Sequence, residues 1–249
     1  MEMNRINPVI LVILAFAVLQ GCGVNHPSAE EIISKAIERH GGELYNQADI
    51  DFNFRGQNFK ANIVDGEYEI QRLFKDEKGE VMDVLKKESI ARWVNNQEIR
   101  LDGRSKDDIY NNTNSVVYFA LLPYRLNDPA VNKQLMCTSN IEGETYYKVE
   151  ITYDAPGGGE DFENSFIYWI HKENYTVDYL AYSFHINGGG VRFRKAYNQR
   201  EVNGIRFQDY VNYTIDRDFP AHELDFAFES GQLRELSRVD REDIQVRIK

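Results

Sequence analysis

The stretch TYYKVEITY at residues 145–153 shows the pattern that decides the fold of this 249-residue chain. Five residues at every second position from its start would share one face of a strand: Thr145, Tyr147, Val149, Ile151 and Tyr153. Because successive side chains of a strand point to opposite faces, this spacing predicts a half-buried antiparallel strand. Ile50, Phe52 and Phe54 show the same alternation. The sequence therefore predicts a mainly β protein.

Turn-forming residue pairs separate these predicted strands at intervals typical of β-hairpins. The pairs are Asp65-Gly66, Lys78-Gly79, Asn95-Asn96, Asp102-Gly103, Glu142-Gly143, Asn187-Gly188, Asn203-Gly204 and Ser230-Gly231. Their number indicates about ten strands, with Phe226 and Phe228 in a late one. Strands do not alternate with long helices, which disfavours a parallel sheet.

One helix is well marked near the start of the chain. Ser28 and Glu31 have the spacing of a capping box, and Gly41-Gly42 ends the helix. Its apolar stripe is formed by Ala29, Ile32, Ile33, Ala36 and Ile37. We expect the stripe to dock on the sheet, and His40 to act as a favourable charge near the helix C-terminus rather than as a ligand.

A second interruption of the strand pattern lies at residues 105–126. Ser105 and Asp108 are candidate caps of a short helix, and Pro123 should end it. The segment is densely apolar at Val116, Tyr118, Phe119, Leu121 and Leu122. It is interpreted as a buried plug.

The first 22 residues carry an export pattern. The apolar run VILVILAFAVL at residues 9–19 is too short to span a bilayer but suits a signal peptide. LQGC at residues 19–22 resembles the lipobox of bacterial lipoproteins, in which the cysteine is acylated. We expect a signal peptide at 1–21, a tether at 22–27 with lipid on Cys22, and one domain at 28–249. An ordinary export signal and a retained anchor are the alternatives.

The charge balance bears on possible partners. The chain has 29 Lys and Arg residues against 40 Asp and Glu, a net charge of -11 and a pI near 5.0. Nucleic-acid binding needs attraction to phosphates, which this balance does not supply. We expect no nucleic-acid partner. If Cys22 carries lipid, the second cysteine, Cys137, has no partner for a disulfide.

Four stretches together resemble a known family. They are NSVVYFALLPYRLNDP (114–129), FIYWI (166–170), DYLAYS (178–183) and GGGVRFRKAYNQR (188–200). They are similar to the landmarks of an uncharacterised family of bacterial lipoproteins. That family is more distantly similar to carriers of lipoproteins and lipids of the LolA/LolB type. The resemblance implies a large curved antiparallel sheet that forms an incomplete barrel around a few short helices, but no catalytic residues.

The predicted helices supply few residues to cover the apolar face of so wide a sheet. The sheet can fold on itself as a sandwich, close as a filled barrel, or curve around the helices and leave a lined cavity for an apolar ligand. The 15 Tyr and 14 Phe residues suit such a cavity. They also suit an ordinary core.

Candidate ligand contacts follow from these patterns. The plug supplies Tyr118, Phe119, Leu121 and Leu122, and the sheet lining supplies Phe166, Tyr168 and Trp169. Arg192 and Arg194 should share one face, where Arg206 of the following strand is a candidate third member, and they could meet lipid head groups or a carboxylate. The favoured alternative for these arginines is pairing with acids such as Glu201 and Asp209 on a solvated face.

The leading hypothesis is a non-enzymatic lipoprotein of the cell envelope, on the periplasmic side of the outer membrane, that holds a lipid or a lipidated chain. One alternative is a hydrolase that uses Glu160 in the acidic, glycine-rich loop at residues 157–163 with His171 or His185. Another is a structural lipoprotein without a ligand. No catalytic residue, metal site or cofactor is assigned.

Overall fold

The computed structural model describes residues 27–64, 67–154, 165–184 and 188–249. Its helices are α1 (Ala29–His40), α2 (Gly103–Ala120) and α3 (Leu224–Glu229). Its strands are β1 (Ala48–Phe54), β2 (Gln57–Val64), β3 (Glu67–Asp76), β4 (Gly79–Lys86), β5 (Ser89–Val94), β6 (Gln97–Ile99), β7 (Val131–Ile141), β8 (Glu144–Tyr153), β9 (Phe166–His171), β10 (Val177–Phe184), β11 (Gly190–Val202), β12 (Ile205–Thr214), β13 (Arg234–Val239) and β14 (Glu242–Ile248). Short 3-10 turns occur at Gly42–Gln47, Tyr124–Asn127 and Ala221–Glu223.

The strands form two seven-stranded antiparallel sheets. The first sheet has the order β14-β1-β2-β3-β4-β5-β6, and the second has the order β13-β12-β11-β10-β9-β8-β7. The chain passes from the first sheet to the second through α2, between β6 and β7, and returns at residues 240–241, which join β13 to β14. The sheets do not close into a barrel, so the predicted incomplete barrel around a few short helices is confirmed. The expected ten strands are too few, because the described residues form the fourteen above.

Tight hairpin turns explain how so many strands fit in the chain. Asn95 and Asn96 have φ values of 51° and 65°, and Asn203 and Gly204 have 47° and 83°. Two successive residues with positive φ match the twist of the flanking strands, and Asn and Gly adopt that conformation at low cost. The expected turns at these two pairs are confirmed.

Helix α1 forms as the sequence predicts. The hydroxyl of Ser28 accepts a hydrogen bond from the Glu31 amide at 3.2 Å, and the Glu31 carboxylate accepts one from the Ser28 amide at 2.8 Å. Ile32 and Ile33 are fully buried and pack with residues of the second sheet. We call the sheet faces that contact α1, α2 and the following turn the inner faces, and the opposite faces the outer faces.

His40 has a different role from the expected one. Its ring is fully buried, and its Nε2 accepts a hydrogen bond from the Val177 amide of β10 at 3.2 Å. Burial, together with the positive charges of Arg206 and Arg39, lowers the pKa of His40 from 6.5 to about 3. The expectation of a charged His40 is therefore wrong, since the neutral ring fastens α1 to the second sheet.

Helix α2 begins earlier than expected. The carboxylate of Asp102 accepts a hydrogen bond from the Ser105 amide at 2.8 Å, so Asp102 is the N-cap and no hairpin turn forms there. Ile109, Val117 and Ala120 are buried in a cluster with the inner face of the first sheet. The helix ends at Ala120, before Pro123, as predicted.

The prediction of a strand at Phe226 and Phe228 is wrong, because both residues lie in α3. Leu224 and Phe228 are four residues apart, share one side of this helix and pack on the outer face of the second sheet. Phe226 points away and is 69% exposed. Two phenylalanines separated by one residue were too short a pattern to distinguish a strand from a helical turn.

Candidate functional site

Aromatic side chains gather on the inner face of the second sheet. Register places Phe166 opposite Tyr182 and Tyr168 opposite Leu180, so residues of β9 and β10 share this face. The end of α2 and the end of β8 bring further rings to it. We call this group the inner aromatic surface; its members are Tyr118, Phe119, Tyr153, Phe166, Tyr168 and Tyr182.

The rings of this surface contact one another directly. The hydroxyl of Tyr118 shares a hydrogen bond with that of Tyr153 and lies 3.4 Å from that of Tyr168. The ring centroids of Phe119 and Tyr182 are 5.6 Å apart, and those of Phe166 and Tyr182 are 5.7 Å apart.

The inner aromatic surface is only partly sealed. Tyr118, Phe119, Tyr153 and Tyr182 are half-buried, whereas most of the apolar core is below a tenth exposed. A group of partly exposed rings that also carries hydroxyls offers both apolar contact and hydrogen bonding to a molecule that lies on it.

Arg194 lies at the edge of the inner aromatic surface. Its guanidinium is 4.1 Å from the ring centroid of Phe119, and the residue is 9% exposed. Its Nε donates to the Asn212 side chain at 2.8 Å, and its Nη2 donates to the Tyr182 hydroxyl at 2.9 Å. Among the described residues it makes no ion pair with a carboxylate within 4.0 Å.

Arg192 lies two residues before Arg194 on the same strand. It is half-buried, donates to the Thr214 hydroxyl at 3.2 Å and covers the ring of Phe184 at 4.7 Å. The favoured expectation that these arginines pair with acids on a solvated face is wrong for both in the described structure. Their neighbours are hydroxyl, amide and aromatic groups of the second sheet and the ring of Phe119 on α2.

Asp209 and Arg206 lie elsewhere. Asp209 pairs with Arg200 at 3.0 Å. Arg206 is six residues along β12 from Asn212, roughly 20 Å at the rise of a strand. It lies near His40 and does not join Arg192 and Arg194.

Two predicted contact residues lie away from the inner aromatic surface, whereas Leu122 packs in the same cluster as its rings. Leu121 faces the first sheet. Trp169 lies on the outer face, where its indole donates to Asp225 at 3.1 Å. The prediction that Trp169 lines the inner face is therefore wrong, because it follows Tyr168 by one residue and alternation turns it outward.

A cavity of about 100 Å³ lies on the other side of the plug, between α2 and the inner face of the first sheet. Its apolar walls include Ile63, Ile70, Val117 and Leu121, and Tyr118 of the inner aromatic surface also lines it. This volume is below the ~300 Å³ typical of ligand pockets, so the cavity by itself does not hold a whole lipid.

The groups named for a hydrolase are only partly described. His171 closes the turn after β9: its Nδ1 accepts from the amides of Glu173 and Asn174 at 3.2 Å, and its Nε2 is 3.4 Å from Glu144. The glycine-rich loop with Glu160, and also His185, lie outside the described residues, as do Cys22 and residues 1–21.

Within the described ranges, no group of three or more His, Cys, Asp and Glu side chains is placed to hold a metal ion.

Sequence reasoning missed two residues that complete the site. Tyr182 contacts Phe119, Phe166 and Arg194, and Asn212 holds the guanidinium. Tyr182 follows Leu180 by two residues in DYLAYS, so alternation could have placed it on the inner face. Asn212 has no comparable signal, because its role depends on pairing between β11 and β12.

The fold and this surface define a class of protein: an open half-barrel of two antiparallel sheets with an aromatic inner surface. The sequence profile of DUF6503, a family of unknown function, matches residues 9–241 of the chain. The chain belongs to this family. The comparison with curated proteins gives no match.

Solved structures with a similar fold come from several bacteria. A DUF1329 family protein from Desulfovibrio piger has 14% identity and a TM-score of 0.50, covering 88% of this chain and 93% of its own. A LolA superfamily protein from Nitrosomonas europaea has 14% identity and a TM-score of 0.48, covering 89% and 94%. A domain described as part of an outer membrane lipoprotein-sorting protein from Vibrio parahaemolyticus has 9% identity and a TM-score of 0.48, covering 88% and 92%. At these identities the likeness concerns the fold alone.

Within residues 27–64, 67–154, 165–184 and 188–249, no helix combines the length and the apolar composition that crossing a bilayer requires.

Proposed function

We propose that this protein is a non-enzymatic lipoprotein of the cell envelope that binds a hydrophobic or amphiphilic molecule, a lipid or a lipidated chain, on its inner aromatic surface. The lipid on Cys22 anchors it to the outer membrane on the periplasmic side. The structure of residues 27–249, where described, then forms a body held at the membrane without crossing it.

The observation that carries this proposal is the partial exposure of the inner aromatic surface. Three of its rings are half-buried, whereas the rings of a filled core would be fully buried. They are Tyr118 and Phe119 at the end of α2 and Tyr182 on the second sheet. Water on a partly exposed aromatic surface is replaced favourably by an apolar molecule, because both apolar surfaces are then removed from water. The adjoining cavity under α2 gives such a molecule a further apolar wall.

Ligand binding is tested on a protein that lacks the export segment, residues 1–21, and carries Cys22→Ser. Its mass under native conditions is compared before and after extraction with organic solvent, and its melting temperature is measured with hexadecanoic acid and with phospholipid. We expect co-purified lipid, and an increase in melting temperature, because a ligand that prefers the native state stabilises it.

The matched control is a pair of aromatic substitutions. Phe119→Ala removes a ring from the inner aromatic surface, whereas Phe226→Ala removes an exposed ring from α3. The first should reduce the stabilisation by lipid and the second should leave it unchanged. An empty protein that gains no stability from either probe would favour the purely structural role.

The anchor is tested separately on the full chain in cells. Intact mass should show acyl chains on the residue that follows position 21, and Cys22→Ser should move the protein from the membrane fraction to the soluble fraction. One acyl chain gives only weak membrane binding, so we expect more than one. An unmodified Cys22 on a membrane-bound chain would identify a retained N-terminal anchor instead.

A further inference from the structure

Two arginines, Arg194 and Arg241, lie near the inner-face ring of Tyr210 on β12. Asp209, which alternates with Tyr210 along the strand, contacts Arg200 and Arg241, and among the described ion pairs it does not contact Arg194. Asp209 lies 3.0 Å from Arg200 and 3.8 Å from Arg241. A buried charge is costly unless it is paired, so the guanidinium of Arg194 requires compensation from another source.

Arg241 and Arg194 approach the same ring from different strands. Their guanidinium carbons lie 5.6 and 6.0 Å from the ring centroid of Tyr210. Burial lowers the pKa of Arg241 to about 10, and the neighbouring charges of Arg194 and Arg200 act in the same direction. Arg241 also donates from Nη2 to the carbonyl oxygen of Phe119 at 3.0 Å, so its donors serve the fold.

Arg194 is the cation with donors to spare. A guanidinium has five N–H groups, and the described acceptors of Arg194 are the Asn212 side chain and the Tyr182 hydroxyl. Phe119, Tyr182 and Tyr210 surround it with ring faces, which attract a cation but do not neutralise its charge. A guanidinium matches the two oxygens of a carboxylate or a phosphate with paired hydrogen bonds.

Resting on the proposed function, we propose that Arg194 binds the anionic head group, carboxylate or phosphate, of an acyl amphiphile whose chain lies on the inner aromatic surface. The two halves of the site are neighbours, since the ring of Tyr182 packs in the inner aromatic surface and its hydroxyl accepts a hydrogen bond from Arg194. The site therefore selects an acyl chain by apolar contact and its head group by charge.

The test uses the full chain in a neutral detergent and measures bound ligand by native mass spectrometry. Three probes with one chain length are offered separately: hexadecanoic acid, hexadecyl phosphate and hexadecanol. We expect the two anionic probes to bind roughly tenfold or more tightly than the alcohol, the difference that one charge-assisted pair supports. Comparison of the two anionic probes identifies the head group.

Variants locate that preference. Arg194→Gln should reduce the preference for the anionic probes to near one while the alcohol still binds, and Arg194→Lys should keep part of it. Arg238→Gln is the matched control, because Arg238 is exposed and its ion pair with Glu235 at 3.1 Å lies on β13 away from the site. Its preference should equal that of the wild type.

The outcomes separate this inference from the proposed function. Equal binding of the acid, the phosphate and the alcohol to the wild-type chain would overturn the role of Arg194 and leave an apolar carrier. A preference that survives Arg194→Gln would also overturn it. Failure of all three probes to bind would overturn the proposed function itself. Because the wild-type comparison needs no variant, a variant that does not fold leaves the test intact.

Discussion

The two sheets each bury an inner face, but their outer faces meet different surroundings. The outer face of the first sheet is polar: Asp49 and Asn62 pair across strands, and Lys86 meets Glu69 at 2.8 Å. The outer face of the second sheet carries Trp169 and other large apolar side chains, and α3 with the residues around it covers them. All six residues of β9 are consequently buried.

This difference indicates how the molecule supports its site. The second sheet is packed on both sides, so the strands that carry Tyr182 and Arg194 lie in the most deeply buried layer. The first sheet is covered on one side only, chiefly by α2. A binding surface built on a sheet that is packed on both sides keeps its side chains in fixed positions, as selective binding requires.

The two tryptophans of the chain test the comparison most strongly. Trp169 is fully buried on β9, and Trp93 is half-buried on β5 of the first sheet. Trp169→Ala should reduce the free energy of unfolding by about 3–5 kcal/mol, because it leaves a cavity and deprives Asp225 of a donor. Trp93→Ala should cost about 1 kcal/mol, since part of its ring is already in water.

Urea unfolding of both variants measures these costs. Near-equal losses would contradict the view that the second sheet, packed on both sides, is the more deeply buried layer.

An ion cluster inside the first sheet sharpens the comparison. Asp83 is fully buried, and the Nε and Nη2 atoms of Arg92 donate to its two oxygens, with Arg72 at 3.9 Å. Asp83→Asn leaves both cations without a charged partner. Because the arginines are partly exposed, we expect a loss of about 3 kcal/mol, the lower end of the range for broken buried pairs.

The control for this change is Asp49→Asn on the outer face of the same sheet. Asp49 pairs with Lys249 at 3.1 Å, and both side chains are about a third exposed. A surface pair of this kind should contribute less than about 1 kcal/mol. If thermal unfolding shows equal losses for the two variants, burial does not decide the strength of these pairs.

The sequence allowed the fold class, α1 and the end of α2 to be predicted, because alternation and capping are local signals. Alternation separates Trp169 from Tyr168, but which of the two faces inward could not be predicted, since FIYWI is apolar throughout. The burial of Arg194 was also beyond prediction. It depends on Asn212 of a neighbouring strand and on Phe119 of α2, and charged residues are ordinarily exposed.

The attachment of α1 to the second sheet should make stability depend on pH. The pKa of His40 is about 3 in the folded chain and 6.5 in its unfolded reference, so between these values the unfolded chain binds a proton that the folded chain excludes. Stability that is present above pH 6.5 is therefore lost as the pH falls toward 3. From about pH 7 to pH 5 the loss from this residue should be about 2 kcal/mol.

His40→Gln should remove this part of the pH dependence, because a glutamine oxygen can still accept from the Val177 amide but does not titrate. His222→Gln is the control, since the His222 side chain is 55% exposed. The measurement is the difference between variant and wild type in the free energy of unfolding at each pH. A difference that stays constant from pH 7 to 5 would contradict the neutral, buried role of His40.

The smallest effect compares the caps of α1 and α2. Ser28→Ala and Asp102→Ala each remove a side chain that accepts a hydrogen bond from an amide of the first turn, at 3.2 and 2.8 Å, and each should cost about 1 kcal/mol of stability.

The two substitutions should differ in how much of the molecule they affect. Because α1 packs on the inner face of the second sheet and shares its core cluster, Ser28→Ala should speed amide exchange throughout that sheet. Helix α2 covers only one face of the first sheet, so Asp102→Ala should speed exchange in α2 alone by local opening. Exchange that rises throughout the molecule in both variants would show that α2 and the two sheets unfold as one cooperative unit. The two sheets would then differ in how they are packed but not in their local stability.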